Sequence, residues 1–232
     1  SVKQIHTVHH QQVLMQGLKN PNGMLAIVPH LGTWEIMNAW LNQFGAPTIM
    51  YKPVKGEQAN QFMLQGRQRL NATLVPTDAT GVKAIFKTLK AGGFSIILPD
   101  HVPDPSGGEV VPFFGIPTLT STLASKLASK TNCSLVGLTC VRRDDGQGFD
   151  IYCDELTDPA LYDKNMVTAT TAMNHAIERM IDRFPSQYMW GYKRFKGVPE
   201  FPVIYNAEPS IAVAVRQRYP KLSNHDIINS LT

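Results

Sequence analysis

Long apolar runs are missing from this 232-residue chain. The best of them, MLAIV at 24–28 and FSIIL at 94–98, fall far short of the roughly 18 uninterrupted apolar residues that a membrane-spanning helix requires, so no segment is expected to cross a bilayer. Cysteine is scarce. Cys133, Cys140 and Cys153 form no CxxC pair and are odd in number, which argues against a disulfide framework and reads as buried thiols in a reducing compartment. Charge is also thin: 17% of residues are charged against 43% hydrophobic, which excludes overall disorder and leaves a lean exterior suited to an apolar partner. The net charge of +4 is below a nucleic-acid signature and compatible with anionic headgroups or an acidic protein. The opening SVKQIHTVHH has neither the apolar core nor the cleavage site of a secretory signal. No GxSxG elbow, Walker loop, HExxH or GxGxxG occurs. His6, His9 and His10 have no carboxylate or thiolate at a matching spacing, so an exposed helical histidine cluster is expected and no metal is assigned.

What is present is an alternation. After an amphipathic stretch to about residue 18 and a turn at Pro21-Asn22-Gly23, MLAIVP reads as a fully buried strand ending at His30. Trp34, Ile36, Met37, Trp40, Leu41 and Phe44 then mark a helical face closed by Gly45. Strand 47–51, helix 57–70, strand 73–76, helix 80–91 and strand 94–98 follow. Continuous apolar strands alternating with helices predict an α/β fold with a mixed, mostly parallel sheet flanked by helices. The Pro- and Gly-rich segment 99–118 is expected to be a long functional loop. Helix 119–131 and strand 134–143 continue the pattern, and Asp145-Gly146 turns a hairpin into 149–153, putting an antiparallel pair near one edge. A long amphipathic helix from Met166 to Phe184 stops before Pro185.

The residues that carry chemistry gather at HLGTWE, 30–35, where a histidine follows a buried strand and a carboxylate sits in the first turn of the next helix. Strand ends are where open α/β sheets place their sites. An imidazole can take a proton from an alcohol near neutral pH, and a neighbouring carboxylate stabilises the imidazolium. Taken singly, a strand-capping histidine and a glutamate favoured by the helix macrodipole explain the same residues without any chemistry.

Other segments agree with one use of that motif. HLGTWE, YKP at 51–53, GRQRLNATLVPTD at 66–78, LPDHVPDPSGGEVVPFFG at 98–115 and WGYKRFK at 190–196 together resemble the late acyltransferases of lipid A biosynthesis, from about residue 24 to 200. The resemblance implies a fold like that of glycerol-phosphate acyltransferases and identifies HLGTWE with the family's H-x4-D/E motif. It makes His30 the general base on the acceptor hydroxyl and Glu35 its charge partner, with attack on an acyl carrier protein thioester and no cofactor. Arg67 matches the family arginine that would hold Glu35, the thioester oxygen or an acceptor phosphate. Asp100 matches the PDQ segment, tied to acceptor binding, with His101 in place of the glutamine. Leu31 and Thr33 replace the usual Phe and Asn.

Lys193, Arg194 and Lys196 beside Trp190, Tyr192 and Phe195 form either the mix expected at an interface with anionic lipid or a basic helix terminus, and Arg194 is assigned as a substrate-binding residue. The implied acceptor is a hydroxyl on a primary acyl chain of a Kdo-lipid A precursor, the implied location the cytoplasmic face of the bacterial inner membrane, peripheral or with a single anchor. The family usually carries an anchoring helix ahead of its histidine motif, and with 29 residues before His30 that anchor is expected upstream of this chain. Residues 1–205 read as one acyltransferase domain and 206–232 as a C-terminal extension outside the resemblance. The rival readings are acylation of a lysophospholipid, aminolipid or other glycolipid, and a non-catalytic lipid-binding relative.

Overall fold

The computed structural model describes residues 2–52, 57, 61, 65, 71–199, 205 and 209–218. The helix expected over 57–70 therefore lies largely outside the described residues, and Arg67 with it. The chain splits into two compact units: residues 1–29, 33–98 and 130–156 form the first, and 30–32, 99–129 and 157–232 the second.

The first unit is built on a sheet. Among the described residues seven strands are ordered β1-β9-β8-β2-β5-β3-β4, with β1 at Ile5–His9, β2 at Met24–Ile27, β3 at Thr48–Tyr51, β4 at Thr73–Pro76, β5 at Phe94–Ile97, β8 at Ser134–Arg142 and β9 at Phe149–Glu155. Every neighbouring pair is parallel except β8 with β9, the expected hairpin near one edge. β2 and β5 are buried at all four positions, which is why they read as continuous apolar runs rather than alternating ones. Helices α1 (Gln11–Leu18), α2 (Glu35–Leu41) and α3 (Ala79–Lys90) accompany the strands. The core gathers Leu14, Met24, Ala26, Met37, Leu41, Ile96, Leu138 and Ile151. Each of the leucine, isoleucine and methionine side chains contributes about 1.5–3 kcal/mol by leaving water.

Local chemistry sets the boundaries. Asp78 caps α3 by accepting from the main-chain N–H groups of Thr80 and Gly81 at 2.8 and 3.1 Å. Gly23, at φ +84°, turns the chain into β2, and a Cβ there would sit 2.6 Å from the Leu89 carbonyl oxygen. The N-terminal stretch differs from expectation: residues 5–9 form edge strand β1, paired in parallel with β9, before the helix begins. His6 and His9 thus lie on a strand, where their side chains come within 3.9 and 3.7 Å of Asp150. A polar edge strand of five residues carries too little apolar pattern to announce itself.

In the second unit the expected loop over 99–118 is a β-hairpin for much of its length. β6 (Gly108–Phe113) pairs antiparallel with β7 (Ile116–Ser121) around Phe114-Gly115. Pro112 and Pro117 stand opposite each other, so the two strand breakers fall where neither could have donated to its partner. Helix α4 (Leu123–Thr131) follows, shorter at its start than expected because 119–121 belong to β7. α5 (Met166–Arg183) is capped by Asn165, and α6 spans Pro209–Arg218. Among the described residues no helix is long and apolar enough to cross a membrane.

Candidate active site

His30 and Asp100 are each delivered by a buried strand. Ile27 of β2 and Ile97 of β5 are register partners, and His30 and Asp100 each follow three residues later in the chain. The result is a close pair: His30 Nδ1 lies 2.8 Å from Asp100 Oδ1, and the His30 main-chain N–H donates to Asp100 Oδ2 at 2.8 Å. Asp100 is 1% exposed, and the Tyr188 hydroxyl donates to its Oδ2 at 2.9 Å. Burial by itself would raise the Asp100 pKa, but the hydrogen bonds and charge of His30, with the Tyr188 hydroxyl, outweigh it and hold the carboxyl below its ordinary value. Burial, and then the charge of Asp100, pushes Tyr188 well above the ordinary tyrosine value, so it remains a donor.

The ionised Asp100 accepts a hydrogen bond from His30 Nδ1–H, an assignment read from the hydrogen-bond network. The lone pair of the ring then sits on Nε2. This is the arrangement in which an imidazole acts as a general base while a carboxylate fixes its tautomer and supports the imidazolium.

The backbone around the histidine is tied to the 187–189 segment. The His30 carbonyl accepts from Met189 N–H at 3.0 Å, Gly32 N–H donates to the Gln187 carbonyl at 2.9 Å, and Leu31 bridges Tyr188. His101 stacks on His30, ring centroids 3.7 Å apart and planes within 8°, and Tyr192 stacks on the other face of His101 at 3.8 Å and 14°. Burial, then the charge of His30, lowers the His101 pKa to about 4, so the ring is neutral at physiological pH.

The other residues singled out by sequence have distinct places. Glu35 is the first residue of α2, in the first unit, and exposed. Arg194, expected to meet substrate, is 1% exposed. Its Nη1 donates to the Leu119 carbonyl at 2.9 Å, its Nη2 to Thr120 Oγ1 at 2.9 Å, and its guanidinium lies over the Phe113 ring at 5.0 Å. Burial lowers its pKa. Its neighbours Lys193 and Lys196 are exposed, as is Met189. Sequence reasoning assigned Asp100 to the acceptor and missed its contact with His30, and it noted His101 without a role. The first depends on β2 and β5 being neighbours, which the order of the strands along the chain does not state.

Comparison with known proteins gives this geometry its context. Residues 2–197 match the family model described as bacterial lipid A biosynthesis acyltransferase. The chain belongs to that family. It is 31% identical over 183 residues to a lipid A biosynthesis lauroyltransferase of Escherichia coli, covering 77% of this chain and 58% of that protein. It is 24% identical over 178 residues to a palmitoleoyltransferase of lipid A biosynthesis from the same organism, covering 76% of this chain and 57% of that one. A phosphatidylinositol mannoside acyltransferase of Mycobacterium tuberculosis matches at 26% over 134 residues, 56% of this chain and 42% of that protein. The chain thus spans a little over half the length of the lipid A relatives it matches.

Proposed function

We propose that this chain carries the catalytic machinery for transfer of a fatty acyl group from an acyl carrier protein thioester to a hydroxyl on a primary acyl chain of a Kdo-lipid A precursor. The observation that carries the reading is the His30–Asp100 pair, in which the bond from Nδ1 at 2.8 Å assigns Nε2 of the imidazole as the base and the main-chain N–H bond at 2.8 Å anchors the carboxylate. Membership of a lipid A acyltransferase family supports the choice of reaction.

His30 Nε2 takes the hydroxyl proton as the oxygen attacks the thioester carbonyl carbon. The tetrahedral intermediate collapses by breaking the carbon–sulfur bond, and the imidazolium returns its proton to the departing thiolate. No protein nucleophile and no cofactor enter. Asp100 orients the ring, and Tyr188 and the His30 main-chain N–H keep that carboxylate ionised. Glu35 adds negative charge for the imidazolium, and Arg67 takes the thioester oxygen or an acceptor phosphate. Arg194 serves the substrate site indirectly, by bracing the β6–β7 hairpin.

Residues 1–205 act as one acyltransferase domain in this reading, at the cytoplasmic face of the inner membrane, with Lys193, Lys196 and Met189 offering the cationic and apolar contacts for anionic lipid. Residues 206–232 stand outside it.

The likeness to the mannoside acyltransferase favours one second reading, in which the acceptor is another glycolipid and the chemistry at His30 is unchanged. The two are separated by incubating the protein with lauroyl and palmitoleoyl thioesters of acyl carrier protein and either acceptor, then weighing the lipids by mass spectrometry. A gain of one acyl unit on the Kdo-lipid A precursor alone supports the first reading. A gain confined to the mannosylated lipid supports the second.

A further inference from the structure

An imidazole that must present one nitrogen to a hydroxyl has to be fixed in two senses. The bond from Nδ1 to Asp100 sets the direction of one ring edge, and the plane of the ring is a second thing to be set. A flat surface against the face of the ring helps to set that plane. His101 supplies one: its centroid lies 3.7 Å from that of His30, with the two planes 8° apart.

His101 is itself held from behind. Tyr192 covers its opposite face at 3.8 Å, Tyr192 Oη accepts the Val102 main-chain N–H at 3.0 Å, and Lys196 Nζ lies 4.4 Å from the centroid of the Tyr192 ring. The Nε2 atom of His101 is buried with no hydrogen-bond partner among the described residues. What the structure does show in use are the two flat faces of the ring, one against His30 and the other against Tyr192.

We infer that His101 is a positioning residue for His30, an aromatic wedge between His30 and Tyr192 that keeps Nε2 aimed at the acceptor hydroxyl. Neutrality matters because a charged ring 3.7 Å away would oppose protonation of His30, whereas an uncharged π-face favours the imidazolium that forms during transfer. Burial is the main cause of that neutrality, and the charges around the ring, His30, Lys196 and Arg194 on one side of the balance and Asp100 on the other, sum in the same direction.

The inference rests on the reading of His30 as the base, and the test keeps the two apart. His101→Leu fills the space without a flat face, His101→Phe restores the face without nitrogens, and His101→Gln replaces the leucine variant should that one fail to fold. With a lauroyl thioester of acyl carrier protein and the Kdo-lipid A precursor, His101→Leu is expected to lose about 10- to 100-fold in kcat with KM changed less than about 2-fold, and His101→Phe to recover most of the loss. In the resting protein, the low-field proton NMR resonance of His30 Nδ1–H is expected to be sharp in the wild type and in His101→Phe and broadened in His101→Leu. A kcat loss with that resonance unchanged, or a broadened resonance with kcat intact, overturns the inference. Wild-type turnover by His30→Ala would overturn the base assignment instead, and the resonance would then decide by itself whether His101 fixes the ring.

Discussion

Replacing Asp100 by Asn changes one oxygen to NH2 in a carboxylate that accepts three hydrogen bonds while 1% exposed. Two of the bonds, from the His30 main-chain N–H and the Tyr188 hydroxyl, end on Oδ2, and the third, from His30 Nδ1, ends on Oδ1. The amide keeps more of the network by turning its oxygen toward the pair of donors, which leaves its NH2 facing His30 Nδ1. The imidazole then avoids a clash of donors by moving its proton to Nε2, where it can no longer act as a base. The variant should therefore fold and fail. Loss of the charge from these bonds costs about 1–3 kcal/mol of stability. Loss of the reactive tautomer and of support for the imidazolium costs on the order of 10³–10⁴ in kcat, the scale seen when the equivalent carboxylate of a serine protease triad is neutralised. Urea denaturation reads the first quantity and single-turnover consumption of the acyl thioester the second. A variant that keeps wild-type stability and more than about a tenth of the turnover would refute the role assigned to Asp100.

Other perturbations have definite expectations. The unfolded chain binds more protons than the folded one between the ordinary His101 value of 6.5 and its folded value of about 4, so stability is full above that window and drains as pH falls through it. Discounted for partial exposure, the loss is about 1–2 kcal/mol, and it should vanish in His101→Phe when denaturation is repeated at pH 7 and pH 4.5. Glu178 Oε1 accepts the main-chain N–H of Phe114, at φ +49° in the β6–β7 turn, at 2.6 Å. Glu178→Ala should lower stability by about 1–2 kcal/mol in thermal melts, and Glu178→Gln, which keeps an acceptor, by less than half of that. Leu41→Ala in the first unit's core should cost about 2–5 kcal/mol in denaturant without changing kcat per folded molecule.

The centre of the sheet was legible because β2 and β5 are buried at every position. Met24–Ile27 and Phe94–Ile97 show it as apolar runs between helical segments, and Asp145-Gly146 marks the antiparallel turn between β8 and β9. The hairpin at 108–121 was hidden by Pro112 and Pro117, which read as breakers until the register shows them opposite each other. Its alternation is nevertheless written in Ile116–Ser121, where buried and half-buried positions take turns. β1 escaped because His6, Thr7 and His9 leave an edge strand with little apolar signal.

At the site, HLGTWE gave away His30, since a histidine just beyond a buried strand has a known geometry. Its bond to Asp100 spans 70 positions in the chain and depends on which strands are neighbours, a fact of topology that no local pattern contains. The stack of His30, His101 and Tyr192 is further removed still, because it joins the ends of three separate segments.

The most direct test of the account is a single-turnover reaction of wild type and His30→Ala with a lauroyl thioester of acyl carrier protein, in the presence of the Kdo-lipid A precursor. Thioester loss and lipid mass are read from the same samples, with a melt of each protein as a control for folding. The wild type is expected to add one lauroyl group to the precursor as the thioester disappears, and the folded variant to do neither. Acyl transfer by His30→Ala at a rate near that of the wild type would contradict it.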